Sequence, residues 1–128
     1  KSDLDQFSGT DEWFRHWTGR LAYTEGVKYL ADKGAAHWLL DAIASYQGDR
    51  RITENEMLRD IQFWKLQVKD GSAVLTCVED SGRKPVIEQR IEFTDFPLDE
   101  VDIWVERGGF PTEKGFVEGM VAMLPSER

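Results

Sequence analysis

The chain has 128 residues, 41% apolar and 31% charged, with five Trp, a balance that describes one globular domain rather than a disordered segment. Its formal charge of −8 works against binding to nucleic acid phosphates. The lone Cys77 excludes an intrachain disulfide, and no apolar run nears the length of a membrane span, so a soluble cytoplasmic protein is the expectation.

In chain order, "SGTDEWFRHW" reads as a short helix over 11–17. Ser8 or Thr10 serves as its N-cap, with Asp11 and Glu12 in the first turn. "GRLAYT" is then an extended link. "TEGVKYLADKG" is a second helix, capped by Thr24 and closed by Gly34 in the left-handed C′ position. "AAHWLLDAIASYQG" follows as a helix ending at Gly48. Its apolar residues cover too much of the circumference for a surface helix, so it should lie centrally. "DRRITENEMLRD" is either one helical turn capped by Thr53 or a loop.

The period then changes from helical to alternating. "IQFWKLQVK" places Trp64, Leu66 and Val68 on one face, and Asp70–Gly71 is a two-residue hairpin signal. That turn pairs Lys69 with Ser72, Val68 with Ala73, Leu66 with Leu75 and Trp64 with Cys77. The apolar residues of both strands then share a side. "EDSGRK" is a second turn. "PVIEQRIEFTDF" is a third strand, with Ile87, Ile91 and Phe93 inward and Glu88, Arg90 and Glu92 outward. Pro97 stops it, and Asp95, Asp99 and Glu100 belong to the turn. "VDIWVER" is a fourth strand, with Val101, Ile103 and Val105 inward and Asp102, Trp104 and Glu106 outward. "GGFPTEKG" reads as a loop. "FVEGMVAMLP" fits a last strand or a short helix, and a strand at 121–124 is preferred.

The expected fold class is α+β and two-layered. N-terminal helices pack on one face of a four- to five-stranded antiparallel meander sheet. Residues 1–128 form a single domain, with a helical half at 8–58 and an antiparallel sheet half at 61–125.

The sequence is poor in recognisable chemistry. Two histidines and one cysteine make no zinc pattern, no stretch has calcium-loop spacing, and no phosphate-binding loop is present. No catalytic residue, metal or cofactor is therefore assigned. Cys77 reads as a small core residue beside Trp64. His16, with Asp11 and Glu12 near it in sequence, is the one candidate for general acid–base work. His37 reads as a packing residue. The outward sheet face says more: an exposed tryptophan ringed by charge is typical of an interface centre. Glu88, Glu92, Asp102, Trp104 and Glu106 are the candidate partner-binding residues.

The blocks "YTEGVKYLADKGAAHWLLDAIASYQ", "FWKL", "LTC", "FTDFPLDEVDIWV" and terminal "MLPSE" resemble a family of small uncharacterised bacterial proteins, classed as a domain of unknown function. The resemblance runs from about Phe7 to the end. The chain departs from it in a longer segment, "GGFPTEKGFVEGM", before the last block. The family carries no known activity. Its members are common on plasmids, prophages and integrated elements. The resemblance therefore implies an accessory factor, such as an inhibitor of a host defence system (anti-CRISPR or anti-restriction).

Three functional expectations follow. The first is a non-enzymatic acidic binding protein. It engages a basic protein surface, such as that of a nucleic-acid-binding defence complex, without contacting nucleic acid or membrane directly. The second is a small enzyme or ligand-binding domain using His16 and nearby carboxylates. The third is a homo-oligomeric module, a homodimer for instance, with Trp104 packed on a symmetry mate.

Overall fold

The computed structural model describes residues 13–80, 82–112 and 115–128, with backbone alone for 110–112, 116 and 117. A seven-stranded mixed sheet dominates it, in the order β1-β2-β7-β6-β3-β4-β5. The strands are β1 (Trp13–Arg15), β2 (Ala22–Thr24), β3 (Ile61–Lys69), β4 (Ser72–Val78), β5 (Ile87–Ile91), β6 (Glu100–Thr112) and β7 (Gly115–Met123). The helices are α1 (Glu25–Lys33), α2 (His37–Tyr46) and α3 (Arg50–Thr53), and a terminal 3-10 turn spans Pro125–Glu127.

Local signals account for the central elements. Thr24 caps α1, its hydroxyl accepting from the Val27 amide, and Gly34 closes the helix by donating to the Leu30 carbonyl; the left-handed position expected of Gly34 (φ −90°) falls instead on Ala35 (φ +50°). The Asp70–Gly71 turn has φ of +53° and +78°, the left-handed pair that suits the twist of two-residue hairpins. The β3–β4 register follows it, with Lys69 opposite Ser72 and Trp64 opposite Cys77. α2 lays Leu39 and Ile43 over Trp64, Leu66, Leu75 and Ile103, the inner face of the sheet. Tyr46 packs its ring 5.5 Å from that of Trp64 and donates to Gln89 of β5 at 2.6 Å.

The expected four- to five-stranded antiparallel meander is not what forms, and four differences explain why. First, residues 13–15 are not helical. They pair with β2 across a turn at Gly19, where φ is +76°. A helix as short as 11–17 is marginal by itself, and the pairing recruits Trp13 and Phe14 into a sheet instead. The proposed caps Ser8 and Thr10, and Asp11 and Glu12, lie outside the described residues.

Second, "GRLAYT" contributes β2, which runs parallel to β7 through Ala22–Val121 and Tyr23–Ala122 and so makes the sheet mixed. Third, β6 does not follow β5 in space. Residues 92–99 carry the chain around the turn end of the β3–β4 hairpin, held by Thr94 N–H to Gly71 O at 2.8 Å and Val68 N–H to Asp99 O at 2.7 Å. Phe96 is buried beneath Gly34, where its ring fills the space a Cβ would need. β6 therefore lands on the far side of β3, opposite the edge β4 gives to β5.

Fourth, the β6–β7 hairpin is long. The expected loop after Arg107 is strand as far as Thr112, and the last strand runs over 115–123 rather than 121–124. Smaller corrections accompany these. Phe93 is exposed because β5 ends at Ile91 and the alternation lapses with it. The one-turn helix α3 is capped by Asp49, which accepts from the Arg51 amide, and not by Thr53.

Candidate functional site

The face of the sheet opposite α1 and α2 is set by strand alternation. On β6 it presents Glu100, Asp102, Trp104 and Glu106, and on β3 Ile61, Phe63, Lys65 and Gln67. At the β2–β7 end a small apolar cluster of Ala22, Val121, Trp13 and Met123 covers this face. Between that cluster and β5 no helix among the described residues covers the face. An open groove of about 510 Å3 runs there, and Phe63, Lys65, Thr76, Val78, Asp102 and Trp104 are among its lining residues.

Register brings some candidate residues together and separates others. Trp104 sits opposite Phe63, their rings edge to face at 5.3 Å, and on its other side opposite Met123. Asp102 lies opposite Lys65, Lys65 opposite Thr76, and Thr76 opposite Glu88, so one row crosses four strands. Glu88 thus stands three strand spacings from Asp102, roughly 14 Å. Glu92 is exposed just beyond the end of β5 and does not join the Trp104 group. Lys65 reaches Glu100 at 3.6 Å and Asp102 at 3.7 Å. Glu106 pairs with Arg128 at 3.2 Å, and the Arg128 guanidinium lies 5.8 Å from the Trp104 ring centre. Trp104 is half-buried rather than fully exposed.

Arg128 and Lys65 contact this group from outside the five-residue candidate set. Lys65 is legible in the sequence as an outward residue of β3. Nothing local in the sequence points Arg128 at Trp104, because the contact depends on where the terminal turn docks.

His16 belongs to a different place. It is buried, 5% exposed, in the turn after β1. Its Nε2 donates to Asp41 Oδ1 of α2 at 2.7 Å, and its Nδ1 accepts from the Thr18 amide at 3.2 Å and lies 2.8 Å from the Thr18 hydroxyl. The exposed Trp17 indole donates to the same Asp41 oxygen at 3.1 Å. Among the described residues the acid beside His16 is Asp41, 25 residues along the chain; Asp11 and Glu12, the acids the sequence offered, lie outside the described residues. The His16 hydrogen bond holds the Asp41 carboxyl below the ordinary value. Both ring nitrogens are engaged, and the ring ties the β1–β2 turn to α2. His37 is exposed and pairs with Asp32 at 2.8 Å. Cys77 is buried and its thiol is pushed up to about 12 by burial. Among the described residues no three His, Cys, Asp or Glu side chains come close enough to hold a metal ion. No helix among them is long and apolar enough to cross a membrane.

Residues 1–128 match the model of a protein family described as "Family of unknown function (DUF6876)". No curated protein and no solved structure matches the chain.

Proposed function

Given that the chain belongs to DUF6876, a family of unknown function, we propose from its geometry a non-enzymatic binding protein that docks a basic protein surface onto the open face of the sheet. The observation that carries this reading is the groove beside Trp104. An aromatic pair, Phe63 and Trp104, floors it, and the two outward β6 residues that flank Trp104, Asp102 and Glu106, are carboxylates. Aromatic anchors within a charged rim are the usual centre of an interface. A partner carrying Lys and Arg supplies the complementary charge and gains on-rate from a chain of net charge −8. The His16 nitrogens, both used by Thr18 and Asp41, support a structural part for that residue.

The resemblance to proteins of mobile elements supplies a narrower version. There the partner is a nucleic-acid-binding component of a host defence system, and Asp102, Glu106 and Glu88 stand where phosphates would sit. Self-association through the same face is the weaker reading. A two-fold contact centred on Trp104 would set Asp102 and Glu106 of one copy near the same carboxylates of the other.

The test is a titration of a fluorescent peptide alternating glycine with basic residues, run at low and raised salt. Tight binding that weakens with salt, and that the Trp104→Ala, Asp102→Lys double variant loses while keeping its melting curve, supports the proposal. Equal binding by the double variant overturns it. So does a Trp104-dependent dimer seen by light scattering without peptide binding.

A further inference from the structure

Arg128 occupies the rim of this face in a manner unlike Lys65. Its Nε lies 3.2 Å from Glu106 Oε2 and its Nη2 donates to Glu106 Oε1 at 3.3 Å. The two contacts use both carboxylate oxygens, the forked geometry that a guanidinium makes and an ammonium does not. The same guanidinium lies over Trp104, 5.8 Å from the ring centre, within cation–π range. Lys65, by contrast, sits between Glu100 and Asp102 at 3.6 and 3.7 Å, a point charge shared by two acids.

We infer that the Trp104–Glu106 corner is an arginine site, held in the free protein by Arg128 and opened to an arginine of the partner by exchange. This rests on the proposed docking face and names the side chain that the face selects.

Three features support exchange. The Arg128 side chain is 51% exposed and that of Glu106 is 31% exposed, so solvent reaches both partners of the pair. Exposed ion pairs are weak, and this one sets only a modest barrier to a competitor. The backbone that presents Arg128 is nevertheless anchored. Its neighbour Glu127 is buried, 8% exposed, and accepts from Thr24, Gly26 and Leu124, so Arg128 swings from a fixed point beside the site. An internal arginine over an aromatic–carboxylate corner is itself a sample of the ligand that corner accepts. Planarity and bidentate bonding favour Arg over Lys there.

The experiment follows the Trp104 indole N–H signal by NMR, assigned with Trp104→Phe, in wild type, Arg128→Ala and Arg128→Gln. The probes are two acetylated peptides, one alternating glycine with arginine and the other glycine with lysine. The expected result is that the arginine peptide shifts the Trp104 signal and that its affinity rises by about three- to tenfold when Arg128 is removed, the range that loss of a weak competing pair allows. The lysine peptide should gain clearly less. If both peptides gain equally from the Arg128 variants, bulk charge explains the effect and the arginine site is overturned while the docking face stands. An arginine peptide that gains nothing from those variants overturns the arginine site in the same way. If neither peptide moves Trp104 in any variant, the docking face fails and this inference with it.

Discussion

The carboxylate of Glu127 accepts a hydrogen bond from the Thr24 hydroxyl at 2.5 Å, across 103 residues of chain. It also accepts from the amides of Gly26 at 3.1 Å and Leu124 at 2.9 Å. Thr24, at the same time, caps α1 by accepting from Val27. Two sequence blocks far apart, "YTEGV" and "MLPSE", are thus two halves of one helix cap. A negative group at a helix N-terminus is electrostatically favoured there as well. Removing the carboxylate leaves buried donors without partners. Glu127→Ala should cost about 1–3 kcal/mol in urea denaturation, and Thr24→Ala about 1 kcal/mol.

Gly26 gives this cap a sign that can be inverted. A Cβ at Gly26 would lie 2.7 Å from the Glu127 carboxyl carbon. Gly26→Ala should therefore destabilise the wild-type chain. In a Glu127→Ala background the obstruction is gone, and alanine's helix preference, about 1 kcal/mol over glycine, should make the same change stabilising. A double-mutant cycle in which Gly26→Ala has the same sign in both backgrounds would refute the arrangement.

Acid should weaken the fold through carboxyls held low. Asp49 is lowered to about 2, first by its side-chain hydrogen bond with Arg51. Asp32 is lowered, first by Lys28, and Asp41, first by His16. A carboxyl with a depressed folded value contributes stability that is present above its unfolded value, which is 3.8 here, and lost as pH falls through the folded one. The melting temperature should hold steady with respect to these groups above about pH 5 and fall below pH 4. Asp49→Asn should flatten the part of that fall between 3.8 and about 2. An unchanged acid limb in Asp49→Asn would count against this assignment.

Gln62 is the buried polar hub of the inner layer. Its Oε1 accepts from Trp64 Nε1 at 2.8 Å and from Gln47 at 2.9 Å, and its Nε2 donates to Gln47 and to the Leu58 carbonyl, both at 2.8 Å. Gln62→Leu keeps the volume and strands all of these partners, so about 2–4 kcal/mol of destabilisation is expected from several unmet groups. Gln47→Ala, at the half-buried end, should cost less. Chemical denaturation of the two variants decides the order.

Cys77 should be inert in the native protein. It is buried on β4, and burial pushes its thiol up to about 12, so little thiolate forms near neutral pH. A thiol reagent at pH 8 should react only as fast as the molecule opens, and rapidly in denaturant. Prompt modification of the folded chain would contradict the burial.

Elements written in short-range chemistry are readable in the amino-acid sequence by itself. Thr24 and Gly34 bound α1, the apolar residues of 36–46 announce a helix packed on the core, though its His37, Asp41 and Ser45 side is exposed and the helix is not buried all round, and Asp70–Gly71 with its flanking alternation sets the β3–β4 register residue by residue. In each case the partners lie within a few positions of one another, so the backbone preference and the pattern agree locally. The same alternation sorts β6 into an inner set, Val101, Ile103 and Val105, and an outer set, Asp102, Trp104 and Glu106.

The tertiary structure decided what depends on distant pairing. "WFR" carries no local mark of being an edge strand, and only β2 makes it one. The parallel β2–β7 contact joins residues a hundred positions apart, and the placement of β6 beside β3 turns on how residues 92–99 wrap the hairpin and bury Phe96. That placement split the acidic candidates, sending Glu88 to one side of the groove and Asp102, Trp104 and Glu106 to the other. Docking of the terminal turn and of α2 likewise brought Arg128 to Trp104 and Asp41 to His16. Strand alternation states which face a side chain takes; which strands lie next to each other on that face is settled by loop closure and core packing summed over the whole chain.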